Sequence, residues 1–98
     1  LRVLNWRVAW GIETGNLDPA DASAVKVLGT EFFVEAYKLL LEIVGPRGTV
    51  RGGASASVEG LLEWAWRAAF VMTFGGGTNE IQRDIIAQVG LKMPRSDR

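Results

Sequence analysis

The chain has 98 residues, room for one modest domain; a chain of this size buries roughly 60–65% of the surface its unfolded form exposes. Eleven Lys+Arg balance eleven Asp+Glu, which removes the basic surplus expected of a nucleic-acid or anionic-membrane binder. Cysteine and histidine are both absent. Disulfide frameworks, thiolate and imidazole metal sites, cysteine nucleophiles and imidazole acid–base chemistry are therefore excluded, and no metal site is expected. The 48% apolar content suits a folded globular chain. Charged residues interrupt every apolar stretch before 18 residues accumulate, so no membrane-spanning helix is expected. Leu1–Arg7 read as a helix already under way, not as a signal peptide. With no initiator Met, the sequence reads as a piece of something longer.

Four helices are predicted in chain order, over about 1–14, 19–44, 57–73 and 78–89, in an all-α, up-and-down bundle. In the first, Trp6 and Trp10 stand four apart beside Val3, Ala9 and Ile12, a helical stripe that Gly11 weakens and Gly15-Asn16 ends. The second has the clearest start: Asp18 to cap, Pro19 at the first helical position, and Asp21 in the positive first turn. Val25, Leu28, Phe32, Ala36, Leu39, Leu40 and Ile43 carry it to Gly45-Pro46, where proline stops it. Residues 45–56, rich in glycine, read as a loop. The third helix is carried by Val58, Leu61, Leu62, Ala65, Ala69, Phe70 and Met72, with Gly60 a weak point within it. Gly75-Gly76-Gly77 breaks it. Thr78 caps the last, whose stripe is Ile81, Ile85, Ile86 and Val89, and Gly90 with Pro94 gives the stop. The tail Arg95–Arg98 is expected to fray. The four tryptophans, Trp6, Trp10, Trp64 and Trp66, read as core and subunit-interface residues.

The segment Gly75-Gly76-Gly77-Thr78-Asn79-Glu80 admits two readings. It is a flexible joint, or it is a place where a ligand approaches the backbone and meets the amide donors of a helix start. No Lys-Ser/Thr follows the glycines and no strand precedes them, so it is neither a P-loop nor a dinucleotide fingerprint.

The longer string Gly76-Gly77-Thr78-Asn79-Glu80-Ile81-Gln82-Arg83-Asp84-Ile85-Ile86-Ala87, then Gly90-Leu91-Lys92-Met93-Pro94-Arg95, resembles the C-terminal end of the acyl-CoA dehydrogenase family. That family closes on a G-T-x-[EQ]-I-Q-R helix and a leucine, proline and arginine tail. A second patch agrees in order and spacing: Ala22 to Leu28, then Leu39-Leu40-Leu41-Glu42-Ile43-Val44-Gly45-Pro46-Arg47-Gly48, is similar to the family's long helix and its Gln-x-x-Gly-x-x-Gly turn. The resemblance covers essentially all 98 residues and implies the last quarter or so of a larger flavoenzyme. Members carry FAD and oxidise an acyl-CoA thioester to the 2,3-enoyl-CoA, in fatty acid or sterol side-chain degradation. Proton abstraction at Cα accompanies hydride transfer from Cβ, and electrons pass to an electron-transfer flavoprotein-like acceptor. The resemblance implies dimers or tetramers built on the helical bundle, with a cytoplasmic location. It further implies that Glu42, Ile43, Val44, Gly45 and Pro46 contact the FAD of a neighbouring subunit, that Thr78, Asn79 and Glu80 contact the FAD of their own, and that Gly77 lies against the thioester.

Two positions depart from the pattern. Many members place the catalytic glutamate immediately before the Gly-Thr pair, where this chain has Gly76; without a side chain it abstracts no proton. No catalytic residue is expected within the chain, which leaves a base on an upstream helix or one from a partner subunit. Glu42 stands where the family more often has glutamine. An ionised carboxylate donates no hydrogen bond and repels a pyrophosphate, so contact here falls to the backbone. Glu80 reads as a first-turn helix residue or a ribose contact in preference to a displaced base. Arg83 reads as half of a structural ion pair or a phosphate contact, and Arg47 and Arg51 as solvated or beside the flavin's adenine end. Two functions follow from the resemblance: an FAD-binding and oligomerisation domain that is inactive alone, or the assembly domain of a non-catalytic subunit in a heteromeric acyl-CoA dehydrogenase.

Overall fold

A computed structural model describes residues 1–54 and 57–95, with the side chains of Ser57 and Glu59 outside the description. Among the described residues the fold is all-α, with four α-helices: α1 (Arg2–Glu13), α2 (Pro19–Val44), α3 (Leu61–Met72) and α4 (Asn79–Ile85). Two compact units divide the chain. Leu1–Gly29 with Gly76–Arg98 make the first and Thr30–Gly75 the second, so α2 contributes its start to one and its end to the other. No helix among the described residues is long and apolar enough to cross a membrane.

The first unit follows its capping residues closely. The Thr14 hydroxyl donates to the Trp10 carbonyl at 2.8 Å, and Gly15 adopts the left-handed φ of +70° that ends α1. Asp18 Oδ1 accepts from the Ala20 amide at 2.8 Å, the side-chain cap expected of α2. Asp21 accepts from Arg7 Nε at 2.7 Å, so the first-turn carboxylate also ties α1 to α2. Small residues make the interior: Ala20, Ser23 and Val27 are buried, and a Cβ on Gly90 would meet that of Ala20 at 2.9 Å. The large stripe residues do not join them. Trp6 and Trp10 are 71% and 68% exposed, which corrects their assignment to the core, because the buried positions of this unit are held by Gly11, Ala20, Ser23, Val27 and Asn79.

In the second unit the end of α2 carries Phe32, Phe33 and Tyr37 as a run of ring contacts, with centroids 5.7 and 6.2 Å apart. The expected loop over 45–56 begins as a 3-10 turn, Gly45–Thr49, since Pro46 presets a helical φ and the Thr49 hydroxyl donates to the Pro46 carbonyl at 2.9 Å. Positions 55 and 56 lie outside the described residues. The third helix starts four residues late. Ser57–Gly60 forms a 3-10 turn, and Gly60 at φ +80° breaks the direction before α3. Trp64 is exposed and so joins Trp6 and Trp10 in correction, whereas Trp66 packs edge-on against Phe70 at 5.2 Å. The fourth helix passes at Ile86–Gly90 into a π-helical turn, with the Leu91 amide donating to the Ile86 carbonyl. The expectation that Arg95–Arg98 fray concerns mainly residues 96–98, which lie outside the described residues.

Candidate functional site: the glycine turn before the last helix

Gly76 and Gly77 both hold left-handed backbone, at φ +72° and +99°, a conformation that costs other L-residues about 1–2 kcal/mol. Thr78 follows in extended geometry, and its Oγ1 accepts from the Ile81 amide at 3.3 Å. The expected cap is therefore present. Two side chains that the sequence reading did not single out brace the turn. Gln82 Nε2 donates to the Gly76 carbonyl at 3.1 Å. Lys26 Nζ donates to the Gly77 carbonyl at 2.8 Å and to Asn79 Oδ1 at 2.5 Å. Asn79 is only 5% exposed, so its contact with Lys26 lies inside the first unit. One signal of Lys26 was available: it is the sole charge between Ala22 and Gly29, in a run of small and apolar residues. Its partners 51 and 53 positions away have no local pattern that would name them.

The outer face of the turn is open. A Cβ on Gly76 would meet nothing within 4 Å, and one on Gly77 would meet only the end of Gln82. Glu80 is exposed in the first turn of α4. Its carboxyl is held below the ordinary 4.5 by a hydrogen bond from its own backbone amide, by the Thr78 hydroxyl, and by the nearby charges of Arg83 and Lys26. A carboxylate made less basic in this way is poorly suited to abstract a proton, which favours the helix-start reading of Glu80.

The other expected cofactor residues lie in the second unit. Glu42, Ile43 and Val44 form the exposed last turn of α2, and Gly45 and Pro46 open the 3-10 turn. Gly45 is left-handed at φ +70°, with nothing within 4 Å of the place a Cβ would take. The same unit holds an open hollow of about 650 Å³ between Arg51, Trp64 and Arg67, away from the expected positions in sequence. Both of these arginines face Glu63, Arg67 at 3.0 Å and Arg51 at 3.8 Å, so Arg51 belongs to a charge cluster as well as to the solvent.

Comparison with known proteins agrees across nearly the whole chain. The sequence profile described as "Acyl-CoA dehydrogenase, C-terminal domain" matches residues 1–91. The chain is 47% identical to acyl-CoA dehydrogenase FadE26 of Mycobacterium tuberculosis (strain ATCC 25618 / H37Rv), covering 100% of this chain and 26% of that protein. It is 44% identical to FadE29 of the same organism, covering 98% and 24%. Among solved structures, "Tcur3481-Tcur3483 steroid ACAD" aligns with a TM-score of 0.91 at 42% identity, over 97% of this chain and 25% of that one. The ChsE4-ChsE5 complex from M. tuberculosis aligns with a TM-score of 0.87 at 47% identity, over the same shares. The chain thus spans about a quarter of the length of the curated relatives it matches. Profile, sequence and structure agree that the chain belongs to the acyl-CoA dehydrogenase family, whose C-terminal domain it carries.

Proposed function

We propose that the whole protein is an FAD-dependent acyl-CoA dehydrogenase and that residues 1–98 are one C-terminal helical domain of it. The domain lines part of an FAD site, bounds the thioester pocket and packs against a neighbouring subunit. Membership of the family implies a flavin in general, and the residues present fit one. The Gly76 face of the turn is free of side chains and only the end of Gln82 stands beside Gly77, while Lys26 and Gln82 hold its carbonyls. That combination, an open but braced backbone, is the observation that carries the reading. Thr78, Asn79 and Glu80 would contact the FAD of their own subunit, and the turn Glu42, Ile43, Val44, Gly45, Pro46 that of the neighbour, with Gly45 offering a second open backbone face.

When bound, the flavin supplies the hydride acceptor for Cβ of the acyl group. The chain's own residues bind and orient. Gly77 leaves room for the thioester, and Thr78 fixes the start of α4. Gly76 offers no side chain, so the proton at Cα leaves to a base outside these residues, on an upstream helix or in a partner. The chain alone is accordingly inactive. Likeness to a structure titled a steroid ACAD supports a sterol side-chain acyl-CoA over a plain fatty acyl-CoA. An electron-transfer flavoprotein-like acceptor and a cytoplasmic location complete the proposal. The test is the whole protein, purified and assayed for released FAD and for turnover of sterol side-chain acyl-CoA. A protein that neither contains nor takes up FAD would refute it.

One observation favours a second reading. Gly76 lacks a base, and both structural neighbours are named as pairs of components, so the whole protein would be the non-catalytic subunit of a heteromeric dehydrogenase. Co-expression with a neighbouring paralogue separates the two. Activity that appears only with the partner, and survives substitutions confined to the Gly77 pocket, supports the second.

A further inference from the structure

We propose that Lys26 is the positioning residue of the glycine turn, setting how tightly the whole protein holds its flavin without itself touching the reacting atoms. The inference rests on the reading that this turn contacts FAD. Lys26 sits in the first half of α2 at intermediate exposure, and its ammonium bonds two acceptors on either side of Thr78: the Gly77 carbonyl at 2.8 Å and Asn79 Oδ1 at 2.5 Å. A peptide unit is planar, and no cis bond occurs among the described residues. Fixing the Gly77 carbonyl therefore also fixes the direction of the Thr78 N–H, which points the opposite way across the same peptide plane. Gln82 does the same one residue earlier by holding the Gly76 carbonyl at 3.1 Å, which fixes the Gly77 N–H. Two consecutive carbonyls are thereby drawn towards side chains, and the amides opposite them are given set directions.

Such a brace matters most at glycine. Both residues of the turn are left-handed, and glycine has more alternative backbone conformations than any other residue, so an unbraced turn would sample many orientations of these amides. A hydrogen bond with a charged partner is stronger than a neutral one, and here a single ammonium serves both the left-handed Gly77 and the buried Asn79. The Lys26 bond thus converts a flexible joint into a fixed binding surface. The two sequence readings of the glycine run, joint or ligand cradle, are reconciled by a residue 51 positions away.

The test compares Lys26→Met, Lys26→Arg and Asp18→Ala in the whole protein, with its partner subunit where one is needed. FAD affinity is measured by reconstitution of the apoprotein, and the visible flavin spectrum and the split between kcat and KM are recorded alongside. Lys26→Met is expected to weaken FAD binding by about tenfold, the scale of one lost charged hydrogen bond, and to alter the fine structure of the flavin band. Lys26→Arg should recover most of the affinity, since it keeps the charge and the donors. Asp18→Ala removes the cap at the start of the same helix, lowers the melting temperature, and should leave FAD affinity unchanged, which separates positioning from general loosening of α2. If Lys26→Met does not fold, Lys26→Arg and Lys26→Gln decide, the neutral amide falling between Arg and Met in soluble yield and weakening FAD binding where Arg does not. Wild-type affinity and spectrum in a folded Lys26→Met or Lys26→Gln protein would overturn the role. A wild-type protein that never binds FAD would overturn the flavin reading itself, and the role with it.

Discussion

Replacing Gly60 by alanine should disrupt the second unit far more than the same change at Gly76, although both glycines are left-handed, at φ +80° and +72°. The backbone cost is shared: a non-glycine residue in this region loses about 1–2 kcal/mol. The surroundings differ. A Cβ at Gly60 would collide with the Arg51 carbonyl oxygen and lie 2.6 Å from its carbon, backbone atoms that cannot rotate aside as a side chain can. At Gly76 the same atom meets nothing within 4 Å. Relieving the Gly60 clash requires a shift of about 1 Å in the segment around Arg51 or in the start of α3, a rearrangement on the scale of overpacking, about 1–3 kcal/mol more. Gly60→Ala should therefore cost about 2–5 kcal/mol and Gly76→Ala about 1–2 kcal/mol. Thermal unfolding of the whole protein, with amide exchange read over Leu61–Met72, measures both. Loss of protection along α3 in Gly60→Ala alone is the expected result. Equal effects at the two sites would refute the argument that backbone contact, and not conformational preference, makes Gly60 necessary.

At Thr78, alanine removes the cap of α4 and should cost about 1 kcal/mol, together with a fall in FAD retained after gel filtration, whereas serine should preserve both. Undiminished flavin stoichiometry in Thr78→Ala would exclude the contact. The valine substitution at Gly77 strains left-handed backbone and fills the space assigned to the thioester, so turnover should fall at least tenfold while bound FAD stays measurable; normal turnover with normal FAD would displace Gly77 from the pocket. For Glu80, the folded pKa lies below the ordinary 4.5, so its contribution to stability is present above that value and lost as pH falls through the lowered one. Glu80→Gln should flatten the acid limb of the stability curve below about pH 4.5, and carboxyl-carbon NMR should place the Glu80 titration below the ordinary value; a titration at or above 4.5 would contradict the assigned hydrogen bonds.

The helices and their caps were legible because their causes are local. Asp18 and Thr78 announce helix starts through bonds that span two or three residues, and these bonds are present, while Pro19 does so through its fixed φ. Where a helix changes character mid-course the local pattern fails. Gly60, left-handed and set against Arg51 nine residues away in sequence, delays the start of α3 to Leu61, and the π-helical turn at Ile86–Gly90 has no periodicity of its own to betray it. The apolar stripes are legible from spacing, whereas the reading of the tryptophans as core residues is not borne out for three of the four. Hydrophobic spacing reports that a face will be covered, but not by what, and Trp6, Trp10 and Trp64 are exposed within this chain. The candidate site was half legible. The glycines and Thr78 stand in one string, whereas Lys26 reaches them from another helix, and only folding joins positions 26, 77 and 79.

The most direct test of the account is the visible absorption spectrum of the whole protein, purified alone and together with a co-expressed paralogue, with denatured supernatant analysed for released flavin. The account predicts a flavin band in at least the paired preparation, FAD in the supernatant, and bleaching of the band when acyl-CoA is added without oxygen. Colourless preparations that fail to take up added FAD in either form would contradict it.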